Sequence, residues 1–144
     1  MKPLPIALIV AALAVSACVG NTLSAQAACT SDVAQITQIT GDCSRTIETL
    51  DKADTQHIAI QTSDVMPFAT VDIAVTVEKG TVAVSFVDSR GNTQTAQASP
   101  GSPAALSLPV QLDPLNQIKF DLTPVDGPAE GVAYQLNFVC DCLP

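Results

Sequence analysis

From Thr55 onward, apolar and polar residues alternate one for one along most of the chain. Successive side chains of an extended strand point to opposite faces, so strict alternation marks strands with one face in a core and the other in water. Ile58 and Ile60 alternate with His57, Ala59 and Gln61. Ala69, Val71, Ile73, Val75 and Val77 then alternate with Thr70, Asp72, Ala74 and Thr76, the run breaks at Glu78-Lys79-Gly80, and Val82, Val84 and Phe86 resume it. Two alternating runs joined by a short glycine-containing break predict a β-hairpin. Asp88 to Asn92 reads as a polar turn, Thr93 to Ala98 as a weak polar strand at a sheet edge, and the Pro- and Gly-rich stretch Ser99 to Pro103 as a loop. Leu106, Leu108 and Val110 alternate again, and Pro109, which has no N–H to give to a ladder, places that strand at an edge or bulge. Ile118, Phe120 and Leu122 follow, then a loop from Pro124 to Gly131, then Val132, Tyr134, Leu136, Phe138 and Cys140. About seven short strands at a spacing of roughly 8 to 14 residues predict an all-β protein, a small β-sandwich of jelly-roll or Ig-like type.

The N-terminal part reads differently. Val33, Ile36 and Ile39 recur at the helical spacing of three, yet Ile and Thr are abundant and favour strands, so Cys29 to Asp54 is expected to form a short helical or irregular segment ahead of the sandwich. Before it, Lys2 is followed by the apolar string LPIALIVAALAVSA, and the next charge is Asp32. A basic start, an apolar core of roughly 14 residues and small residues behind it make a secretory signal, too short to cross a bilayer as a helix, which takes about 20 residues.

Val15-Ser16-Ala17-Cys18 resembles the lipobox of bacterial lipoproteins, in which a branched aliphatic residue and two small residues precede a cysteine that is lipid-modified. That resemblance implies a signal peptide over 1–17, lipidation at Cys18, and a membrane partner reached through the lipid. Val19 stands where inner-membrane lipoproteins carry aspartate, which implies an outer-membrane or cell-surface destination. The alternative is cleavage after Ala25-Gln26-Ala27, giving a signal peptide over 1–27 and a soluble periplasmic or extracellular protein. Residues 18–28 have no large apolar face and read as a flexible tether, leaving 29–144 as one domain. Over residues 55 to 140 the strand rhythm, with GTVAVSFVD, IKFDLTP and GVAYQLNFV, is similar to the small sandwiches of the pre-peptidase C-terminal domain family, which implies an accessory module and assigns no functional residue.

The formal charge is −8, or −9 once Lys2 is lost, with the acids scattered. Such a surface is repelled by phosphate, so a nucleic acid partner is not expected. Cys29, Cys43, Cys140 and Cys142 form an even set in an exported chain and are expected to make two disulfides, although four thiolates could also hold a soft metal ion. Pairing Cys140 with Cys142 closes a ring of very few residues, so Cys29 and Cys43 are each expected to reach the last strand.

His57 is the one histidine, and a catalytic triad would have to combine it with groups such as Ser63 and Asp64. It alternates with Ile58 and Ile60, which puts it in solvent. Asp113, Asp126 and Glu130 are loop carboxylates of the type that ligate calcium, without the spacing of a twelve-residue calcium loop. Trp is absent, and Phe86, Phe120, Phe138 and Tyr134 share the faces of neighbouring aliphatics, so they are assigned to the core, and the Tyr134 hydroxyl is expected to find a backbone partner. The reading is of a non-enzymatic exported envelope or surface module, without cofactor, that contacts an envelope or extracellular protein or self-associates through edge strands. The alternative is a secreted carbohydrate- or calcium-binding module, and a hydrolase ranks last.

Overall fold

The computed structural model describes residues 27–35 and 37–144. The signal segment, the lipobox with Cys18, most of the tether and Ile36 lie outside the described residues. Eight strands are formed: β1 (Ala28–Gln35), β2 (Gln38–Leu50), β3 (Asp54–Ala59), β4 (Phe68–Thr76), β5 (Lys79–Val87), β6 (Thr93–Ala98), β7 (Ala104–Gln111) and β8 (Gln117–Cys140). The expected helical or irregular segment is instead a β1–β2 antiparallel hairpin, with Cys29 opposite Cys43 and Val33 opposite Ile39. The β-branched residues of this stretch prevail over its three-residue spacing because β8 gives β2 a long partner, from Ile39↔Cys140 to Leu50↔Ala129.

Strand β8 runs through both layers. Its first part pairs with β3 (Ile58↔Ile118) and with β5 (Val84↔Leu122). Its last part pairs with β2 and β4 (Ile73↔Leu136). The bend between them falls at Asp126, Gly127 and Gly131, all at positive φ. One layer is therefore β1-β2-β8-β4-β7 and the other β3-β8-β5-β6, linked into a single antiparallel sheet by the bend. Glycine fits here for a second reason: a Cβ on Gly131 would lie 2.5 Å from the Glu78 side chain.

The hairpin expected across Glu78-Lys79-Gly80 does not form. β4 pairs with β7 and β8, β5 pairs with β6 and β8, and the short link carries the chain from one layer to the other. Alternation fixes which face of a strand is buried but not which strand it pairs with, and both runs find β8. The link is held to the bend by the Glu78 N–H donating to Glu130 O at 3.1 Å. The β-hairpin lies one turn later, where β5 and β6 pair through Val87↔Thr93.

The inner faces meet in one core. Val71, Ile73, Val75, Val132, Leu136 and Phe138 from the five-stranded layer face Ile58, Ile118, Leu122, Val82, Val84 and Phe86 from the other, all buried. Each such side chain contributes roughly 1.5–3 kcal/mol by leaving water. Phe86 stacks on Phe120 at 4.9 Å between centroids, and Phe120 meets Tyr134 edge-on at 5.1 Å, so the few aromatics bind the two layers together. β6 and β7 are edge strands, as their composition implies. Pro109 sits on β7 opposite Thr70, and its carbonyl turns outward to accept the Ser89 N–H at 3.0 Å, so the missing donor costs the ladder nothing.

Candidate functional site

The four cysteines form two disulfides, Cys29–Cys43 and Cys140–Cys142; Cys29 is exposed on β1 and the other three are buried. The closures expected from Cys29 and Cys43 onto the last strand are not made. β1 folds back on β2 and places Cys29 directly opposite Cys43, with 4.1 Å between Cα atoms, while on its other side Cys43 stands opposite Leu136 of β8 and not opposite a cysteine. Cys140 ends β8 facing inward, Asp141 turns outward, and Cys142 turns back into the core. The second bridge thus directs the chain end across the β3–β4 loop. There Thr62 Oγ1 donates to Leu143 O at 2.6 Å and the Leu143 N–H donates to Asp64 Oδ2 at 2.8 Å.

This tail contact decides the fate of the hydrolytic candidates. Asp64 is occupied by the chain end, and the Ser63 N–H donates to Leu143 O. His57 projects outward from β3 with Nδ1 3.1 Å from Gln117 Oε1. No hydrogen-bonded relay joins His57, Ser63 and Asp64 among the described residues.

The calcium candidates are not brought together either, and among the described residues no group of three or more His, Cys, Asp or Glu side chains is arranged to hold a metal ion. Asp113 accepts the Leu115 and Gln117 N–H groups at 2.8 and 2.9 Å and pairs with Lys119 at 3.1 Å. Partial burial raises its pKa, but the hydrogen bonds from Gln117, Lys119 and Leu115 outweigh that and hold the carboxyl below the ordinary aspartate value. Asp126 forms part of the β8 bend, and Glu130 pairs with Lys79 at 2.7 Å.

A cleft of about 620 Å³ opens at the end of the sandwich where the β5–β6 turn meets the β7–β8 loop. Met66, Val110, Leu112 and Phe86 line its apolar side, and Asp88, Asp113, Lys119 and Asp121 its polar side. The polar groups are largely engaged with one another. Asp88 accepts the backbone N–H of Asn92 and of Arg90 at 2.9 Å, which with the Gln94 amide holds its carboxyl below the usual aspartate value. Asp121 accepts the Thr55 hydroxyl through Oδ1. Asn116, at positive φ, orders the cleft wall by donating to Asp64 O at 3.0 Å while accepting the Met66 N–H at 3.3 Å.

A polar cluster that sequence reasoning missed lies at the core margin. Tyr134 is buried, as its pattern implies, but its hydroxyl donates to the side-chain oxygen of Gln56 at 3.2 Å and not to backbone. Arg45 donates to the same oxygen at 2.6 Å, and the Gln56 amide donates to Asp54 at 2.7 Å. Burial raises the Tyr134 pKa above its ordinary 10.0, the Arg45 guanidinium opposing and Asp54 adding to the rise. The signal was present in the pattern, since Gln56 holds an apolar register position two residues before Ile58.

Together these features define a disulfide-cross-linked, all-β sandwich of the type that persists in oxidising compartments. No family model matches the chain, and no curated protein matches it. Among solved structures it is similar to one described as "Bacillus endospore appendages form a novel family of disulfide-linked pili", at 12% identity over 88% of this chain and 98% of that one, with a TM-score of 0.47. It is also similar to procruciferin, an 11S globulin from Brassica napus, at 14% identity over 69% of this chain and 21% of that one, with a TM-score of 0.32. A third likeness is to Peruvianin-I, a cysteine peptidase from Thevetia peruviana latex, at 12% identity over 78% of this chain and 61% of that one, with a TM-score of 0.35. With every score below one half, these likenesses carry no functional argument.

Proposed function

We propose that this chain is a non-enzymatic module of the cell envelope or surface, exported, tethered by lipid at Cys18, and acting through protein contacts. The observation that carries the reading is the Cys29–Cys43 bridge, which lies one residue into β1 and therefore fixes the point where the N-terminal segment joins the folded body. Nine residues, Val19 to Ala27, separate Cys18 from β1, enough to span about 30 Å when extended. That length would hold the sandwich clear of a membrane surface and leave its faces free for a partner. The lipobox-like residues and the outward-pointing His57 support the same reading.

Intact mass spectrometry of the protein recovered from its host tests it. The expected result is a chain beginning at a lipid-modified Cys18 that gains the four hydrogens of two disulfides on reduction. A chain beginning at Ala28 would overturn the tether.

The end cleft favours a second reading, a secreted module that binds a small polyhydroxyl ligand such as a glycan. Thr55, Ser85, Ser89 and Thr93 bring hydroxyls to its lining beside Asp121. Calorimetry against a glycan panel, with calcium in a parallel run, removes this reading if no heat is released.

A further inference from the structure

The two layers are unequal, and among the described residues the outer edge of β1 has no strand beside it. The five-stranded layer overhangs the other on the β1 side, so Val33, which points to the inner face like its partner Ile39, is 58% exposed. A groove of about 600 Å³ runs beneath it, lined by Ser31, Val33, Ile39, Thr62 and Pro144.

Natural sheet edges are guarded by proline, lysine, short length or a covering element. The edge of β7 carries Pro109 with its carbonyl capped by Ser89. β6 is six residues long and packs beside β7, and β3 is also six residues long. β1 has eight residues, ACTSDVAQ, with no proline, no basic residue and Asp32 as its one charge.

The register shows what this edge offers. Cys29 and Cys43 approach to 4.1 Å between Cα atoms, which marks a pair without mutual backbone hydrogen bonds. The bonded pairs with β2 are then Ala28↔Ser44, Thr30↔Asp42 and Asp32↔Thr40. Cys29, Ser31 and Val33 consequently turn their N–H and C=O groups to the free side. These three positions are symmetric about Ser31.

We infer that β1 pairs antiparallel with β1 of a second copy of this chain, about a two-fold axis at Ser31, forming a closed dimer. In that register Ser31 bonds Ser31 of the other copy, and Cys29 bonds Val33 in both directions, so every free backbone group of the regular edge is satisfied. Val33 packs against the other copy's Cys29–Cys43 bridge. Asp32 falls opposite Thr30, so no like charges face each other directly, which would destabilise the pair. The interface is isologous and ends with two copies, joining two five-stranded layers into one continuous sheet. This names one partner for the protein contacts proposed above and does not depend on the lipid.

The test is sedimentation equilibrium of the full chain as its host processes it, in detergent where lipid is present, with Ser31→Pro and Ser31→Cys variants. Proline at 31 removes a donor that faces away from β2, so the β1–β2 ladder keeps its bonds. The expected results are a concentration-dependent dimer, at least about tenfold weaker for Ser31→Pro with an unchanged circular dichroism spectrum, and a covalent dimer of Ser31→Cys under mild oxidation, since opposed bonded residues stand about 5.5 Å apart. A chain that stays monomeric to about 1 mM, a dimer indifferent to Ser31→Pro, or a Ser31→Cys variant that does not cross-link would overturn the inference. A chain found to begin at Ala28 would sink the tether and leave these outcomes standing.

Discussion

At Gly41 on β2, a single added methyl group has no room, because a Cβ would lie 2.5 Å from both the Phe138 ring and Thr30 O. Gly41→Ala should therefore lower stability by about 1–3 kcal/mol, read by chemical denaturation. The Arg45–Gln56–Tyr134 cluster behaves differently, because it loses partners and not space. Tyr134→Phe removes one neutral hydrogen bond and leaves Gln56 bonded to Arg45, a cost of about 1 kcal/mol, whereas Gln56→Ala strands the buried Tyr134 hydroxyl and leaves the half-buried Arg45 only its ion pair with Asp54, and should cost about 1–3 kcal/mol. Asp88 and Asp113 set the acid limb. Their folded pKa values lie below the ordinary 3.8, so the folded state holds them ionised more firmly than the unfolded chain does. Their contribution is fully present above the unfolded value and is lost as pH falls below it through the folded values. Thermal midpoints followed from pH 7 to pH 2 should fall on this limb, and Asp113→Asn should flatten the fall.

At the scale of elements, the two disulfides should differ in worth. Cys29–Cys43 spans 14 residues and should contribute about 3 kcal/mol by restricting the unfolded chain, whereas Cys140–Cys142 spans two and restricts it little. Denaturation of Cys29→Ala/Cys43→Ala and Cys140→Ala/Cys142→Ala variants should show the large loss in the first. In the second, hydrogen exchange should report a freed tail at Leu143. The same elements show what the sequence made legible. Faces were readable: Val71 to Val75, Val82 to Phe86 and Val132 to Cys140 are buried where alternation puts them, and β6 and β7 are edges. Partners were not, because alternation is local while pairing is decided by β8, whose bend depends on Asp126, Gly127 and Gly131 adopting positive φ. β2 was obscure because Gly41 and Arg45 occupy inward positions that the pattern reserves for aliphatics. The candidate site was legible only as residue types. His57, Asp113 and Glu130 were visible in the sequence, but the occupation of His57 by Gln117 and of Glu130 by Lys79 comes from strands far apart along the chain, and that of Asp113 by Lys119 from the fold of the turn into β8.

At the scale of the whole molecule, β8 is shared by both layers, so neither layer can lose its order and leave the other intact. Unfolding should be one cooperative transition, with near- and far-ultraviolet circular dichroism coincident. Gly131→Ala, which forces a side chain onto positive φ and into Glu78, should lower the midpoint of both signals together. The Cys29–Cys43 bridge has a further consequence when the chain is loaded from its N-terminus. Tension there would peel β1 from β2 one rung at a time, and hydrogen bonds broken in sequence resist far less force than a set broken at once. The covalent rung stands at the end where peeling starts, so it stops the zipper and passes the pull to β2, which is bonded along its length to β8. Load then acts as shear on strands inside the sheet, and reducing that single bridge would change a body that resists pulling into one that unravels from its edge.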